Sequence, residues 1–173
     1  MNLHPALVHF PIALLTMYAV FELIPVKKLR ENISWFWWKF GLLFFGSISS
    51  WVAIYTGEMA AEIIGESQVA ELHSAFGNAT GWFFSILAVL YIISGIERGL
   101  LPHVISNWQK YSVTRAIWKV LLILKKLFLD TPLVYIVALV GLALITITGA
   151  LGGAVAFGPD VDPVVSFVYN FFF

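Results

Sequence analysis

Four apolar stretches, each long enough to cross a lipid bilayer, constrain this chain more than anything else in it. They run over about residues 6–26, 33–55, 72–101 and 133–157, and crossing the hydrocarbon core takes about 20 apolar residues in a helix. The remaining composition agrees. Charged residues make up 12% of the chain, against roughly 25% in a soluble domain. The expected fold class is therefore all-α, an integral membrane four-helix bundle, with residues 1–173 forming a single transmembrane domain. The first stretch lacks a basic leader and a small-residue cleavage site, so it reads as a retained span rather than a cleavable signal.

The charges orient the spans. Lys27, Lys28, Arg30 and Lys39 flank the first connection, and Arg98, Lys110, Arg115, Lys119, Lys125 and Lys126 belong to the long third one. The middle connection carries only acids, Glu58, Glu62, Glu66 and Glu71, and the tail carries Asp160 and Asp162. Basic connections stay in the cytoplasm. This predicts a multi-pass protein of a prokaryotic inner membrane with both termini outside. Residues 104–130 hold too many lysines in too short an apolar run to span, and read as an interfacial helix on the cytoplasmic leaflet, with a re-entrant segment as the alternative. Trp35, Trp37 and Trp38 suit an aromatic belt. Gly77-x-x-x-Gly81 and Gly149-x-x-x-Gly153 permit close helix packing, or contact with a flat macrocycle.

Histidine is costly in lipid and tends to face the bundle interior. With this topology His4, His9 and His73 all fall at the outer ends of spans one and three, whereas His103 falls at the opposite face beside the basic segment. A five-residue offset turns a side chain by about 140° around a helix, so His4 and His9 cannot both face inward as helical residues. His4 precedes Pro5 and is expected at the cap. His9 and His73 are then the expected opposed pair, suited to the two axial positions of a haem iron held between helices, with His4 as a supporting group or alternative ligand. Hydrogen bonding across helices is the plainer role for such histidines.

Glu58 and Glu62 stand one turn apart in the acidic connection, where solvation explains them. Alternatively Glu58 joins the histidines at a metal, which with nitrogen and oxygen donors would be zinc, copper(II) or non-haem iron. The absence of cysteine excludes thiolate sites, iron–sulfur ligation and c-type haem attachment within the chain. No nucleophile elbow, P-loop or His-Glu-x-x-His pattern is present.

The opening His4-Pro5-Ala6-Leu7-Val8-His9-Phe10-Pro11-Ile12-Ala13-Leu14, then Thr56-Gly57-Glu58-Met59-Ala60 after the second span, His73 at the start of the third, and Gly149 to Gly153 late in the fourth resemble a widespread family of uncharacterised prokaryotic four-helix membrane proteins. The likeness covers about residues 3–158. Members are sometimes joined to c-type cytochrome or Rieske-like modules, so the resemblance implies redox company.

These readings together favour a non-catalytic, cytochrome b-like subunit of a respiratory complex. It would hold haem b near the outer face through His9 and His73 with His4 close by, and pass electrons between a quinone or partner subunit and an extracytoplasmic redox protein such as cytochrome c. Lipid is the other expected contact, and no nucleic acid is expected. Two alternatives belong to other classes: a structural or anchoring subunit, and an outward-facing transition-metal protein using His4, His9, Glu58 and His73.

Overall fold

The structure, a computed structural model, describes residues 4–64, 67–101, 103, 107–108 and 110–173. Parts of the expected interfacial segment (residues 104–106 and 109) and Glu66 of the acidic connection lie outside the described residues. Among the described residues four helical stretches are long and apolar enough to cross a membrane: His4–Leu23, Ile33–Glu62, Gln68–Glu97 and Leu133–Phe157.

The first span comes in two pieces, α1 (His4–Leu7) and α2 (His9–Leu23). Pro11 has no N–H to give the carbonyl of Leu7, so one bond of the ladder is missing, but the backbone stays helical through Val8 (φ −64°, ψ −26°), with Val8 bonded to His4 and Ile12 to Val8. His4 thus opens a helical turn rather than standing free at a cap. A short basic turn, α3 (Lys27–Arg30), leads to α4 (Ile33–Ile64), whose first amides are capped by the Asn32 side chain at 2.8 and 3.3 Å. Helix α4 runs further than the hydropathy suggests, because Thr56-Gly57 continues the helix instead of ending it. Helix α5 (Gln68–Glu97) starts from the Ser67 cap and stops where Gly99 takes a φ of +95° and Leu100 bonds back to Gly95. Such a left-handed glycine is a usual helix stop.

Helix α6 (Ser112–Leu129) is strongly amphipathic and is not among the helices long and apolar enough to cross a membrane. Helix α7 (Leu133–Phe157) has the expected limits, and α8 (Pro163–Phe172) is an addition to the expected fold. Asp162 caps α8 through the amides of Val164 and Val165, and Pro163 sits at its first position, where a missing N–H costs nothing.

Helices α2, α4, α5 and α7 form a closed ring, each packed on its two neighbours. Long aromatics fill the diagonal. Tyr18 of α2 meets Phe84 and Tyr91 of α5 edge-on, with ring centroids 6.2 and 5.6 Å apart. Glycine admits the neighbouring helix at the tightest points. A Cβ at Gly141 would lie 2.8 Å from the Phe84 ring, and one at Gly81 would lie 2.7 Å from Ile54. Gly81 therefore serves close packing, as small residues do between membrane helices, while Gly149 of the other small-residue motif faces open space. Helix α8 folds back on α7, burying Val165 and Val168 against Ala150, Leu151 and Ala154, with Phe172 against Phe76.

Candidate functional site

At the end of the bundle where the first span begins, two imidazoles face one another from different helices. The rings of His4 and His73 have centroids 6.4 Å apart, and their planes cross at 72°. Each is half-buried. His73, on α5, donates its Nδ1–H to the backbone carbonyl of Thr148 on α7 at 2.9 Å. The Thr56 hydroxyl on α4 gives its own hydrogen to the carbonyls of Ala53 and Val52, at 3.0 and 3.1 Å. It therefore accepts the Nδ1–H of His4, at 3.2 Å. A proton fixed on Nδ1 leaves Nε2 as the basic nitrogen of a neutral imidazole. This is how a ligating histidine is usually oriented from behind.

Each ring also rests on a glycine of the helix it bonds. A Cβ at Gly57 would come within 3.0 Å of Cε1 of His4, and a Cβ at Gly152 within 2.9 Å of Cε1 of His73. The two halves of the bundle thus repeat one device: a histidine opening one span, a threonine taking its Nδ1–H, and a glycine under the ring. Gly152→Ala should push the His73 ring from its seat and lower thermal stability in detergent by about 1–3 kcal/mol. Gly149→Ala, with open space at its Cβ, should leave the melting temperature close to that of the parent.

The other expected site residues stand apart. His9 does not meet His73; it is exposed and donates Nδ1–H to the carbonyl of Pro5 one turn back, at 2.7 Å. Val8 keeps helical backbone angles (φ −64°, ψ −26°), so His9 stands about 140° around the span from His4, and with α1 packed on α4 it is His4 that turns inward. Glu58 is exposed, and among the described residues no three His, Cys, Asp or Glu side chains gather as a metal would need. His103 is exposed, at the basic end.

A second polar site was not expected. Glu22 of α2, Lys39 of α4 and Tyr91 of α5 meet inside the bundle, all under 8% exposed. Lys39 and Glu22 form an ion pair, and the Tyr91 hydroxyl donates to the same Glu22 oxygen at 3.1 Å. Lys39 also lies over the Tyr91 ring, 5.8 Å from its centroid. Among the described residues, the buried Tyr18 hydroxyl beside them makes no hydrogen bond of normal geometry. Lys39, which looks like a flanking cation in the sequence, is an interior one. The available signal was an acid inside span one and a base inside span two, each a few residues from the same connection. Eighteen residues separate His4 from Glu22, about 27 Å at 1.5 Å per residue, so the two polar sites occupy opposite ends of the first span.

Fold and site together define a helical membrane protein with four spans, a histidine pair at one end and a buried ion pair toward the other. The chain belongs to the family described as "Predicted membrane protein (DUF2231)", whose family model matches residues 1–162. No curated protein and no solved structure matches it.

Proposed function

We propose that this chain is an electron-transfer membrane subunit that holds haem b between His4 and His73. The observation that carries the reading is the separation of the two rings. With a metal–imidazole bond of about 2.0 Å and a ring radius of about 1.1 Å, two imidazoles trans to each other on one metal have centroids about 6 Å apart, close to the 6.4 Å observed. The donor set favours haem over a bare ion. Zinc or copper(II) asks for four or so donors, whereas haem brings four nitrogens of its own and asks the protein for two. A groove of about 480 Å³ between α2, α7 and the start of α8 is lined by Ile12, Thr16, Gly149, Ala150, Gly153 and Val165, and neither histidine lines it. Bound haem would supply a one-electron couple tuned by its axial ligands and surroundings. His4 and His73 would hold the iron, and Thr56 and Thr148 would orient them.

A quinone or partner subunit on one side, and an extracytoplasmic redox protein such as cytochrome c on the other, are the proposed electron partners. The charge distribution supports a prokaryotic inner membrane, with the histidine end and both termini extracytoplasmic. A periplasm-dependent reporter fused after Phe173 should be active; a cytoplasm-dependent one active in its place would reverse the orientation. The haem reading is tested by a reduced-minus-oxidised absorption spectrum of protein expressed with ample haem, which should show a low-spin b-type signature.

One observation favours a second reading. Both imidazoles already hydrogen-bond across helices, His4 to Thr56 and His73 to Thr148, as histidines do in a purely structural or anchoring subunit. A colourless, stably folded wild type would decide for that reading.

A further inference from the structure

Helix α6 presents three distinct surfaces at about 100° per residue. One sector, with Trp118, Lys125 and Leu129, packs on the bundle: Trp118 sits against Ile93 and Ile96, Lys125 reaches Glu97 at 2.8 Å and Asp130 at 2.9 Å, and Leu129 joins the main core. A second sector, Val113, Ile117, Val120, Ile123, Leu124 and Leu127, is apolar and exposed. Between the two, within about 40° of one another, lie Arg115, Lys119 and Lys126, all exposed. Trp118 and Leu129 are eleven residues apart, about 16 Å along the helix. Yet their partners are the last turns of α5 and the core beside the start of α7, which stand at one level of the bundle. Helix α6 therefore runs across the basic end of the bundle rather than along it.

We infer that α6 is an in-plane docking surface for anionic lipid, its apolar sector bedded in acyl chains and Arg115, Lys119 and Lys126 binding headgroup phosphates. An exposed apolar stripe of four turns on a membrane protein needs a hydrocarbon neighbour. Three cations along one edge of it supply the complement to phosphate at the depth where headgroups lie. Lys27, Lys28 and Arg30 belong to the same end of the spans, so the helix adds to a basic rim already there. The inference is independent of what the histidine pair holds.

Spin-labelled lipids report it directly. With the full chain reconstituted in phosphatidylcholine, labelled phosphatidylglycerol should be immobilised at the protein several-fold more strongly than labelled phosphatidylcholine. The preference should shrink at high salt and fall toward parity in Arg115→Gln/Lys119→Gln/Lys126→Gln. Parity in the wild type, or a preference unchanged in the triple variant, overturns it. Because the chain has no cysteine, a nitroxide on Val120→Cys or Leu127→Cys gives a second measurement that leaves the cations in place. Such labels should be relaxed by oxygen, which concentrates in acyl chains, and little by a water-soluble nickel complex. Labels shielded from both reagents would mean that protein, a second copy or a partner, covers the stripe, and would also overturn it.

Discussion

Alanine at His4 or at His73 should each abolish a low-spin haem spectrum, and alanine at His9 or His103 should leave it intact. Six-coordinate iron needs both imidazoles, so loss of either leaves a vacant position and a high-spin or empty site. The separation of the His4 and His73 rings suits that role. His9 is turned outward onto the Pro5 carbonyl, and His103 belongs to the other end of the spans. Thr56→Val, which removes the hydroxyl that receives His4 Nδ1–H, should weaken cofactor retention by about 10–100-fold without erasing the spectrum. The measurement is one absorption scan for each purified variant. A spectrum lost in His9→Ala and kept in His4→Ala would return the ligand role to His9 and refute the pairing drawn from the structure. A spectrum kept in both single alanine variants of the facing pair would remove haem from this end of the bundle.

The spans were legible because length and hydropathy fix them, and so was the end of the bundle at which the histidines gather, because antiparallel spans place residues by their distance from a connection. The choice between His4 and His9 was not legible. Helical phase shows that both cannot face inward, but which one does depends on how the span is rotated about its axis, and its packing on α4 fixes that. The twofold use of histidine, threonine and glycine was hidden for another reason. His73 bonds a backbone carbonyl and His4 a hydroxyl, and the connections within the two halves differ in length, so no repeat shows in the letters. Glu22 and Lys39 were readable in principle. Lys39 flanks the first connection beside Trp35, Trp37 and Trp38 and so looks like a membrane-edge cation, and only the pairing of α2 with α4 shows that it turns inward.

That pair carries the second large expectation. Replacing Glu22 with Leu, or Lys39 with Met, should each destabilise the bundle by about 3–5 kcal/mol, since either change leaves one buried charge without its partner. The double variant should recover most of the loss, because two apolar side chains in that place need no desolvation. Tyr91→Phe should cost about 1.5–3 kcal/mol, the worth of one hydrogen bond donated to a charged acceptor. Denaturant unfolding in detergent of the two singles and the double closes the cycle, and a coupling energy near zero would mean that the two side chains do not interact. The double variant also separates the two ends of the molecule. With about 27 Å of helix between Glu22 and His4, it should keep whatever spectrum the wild type has. A folded double variant that lost the spectrum would show that the ion pair sets the helix packing on which the His4–His73 separation depends.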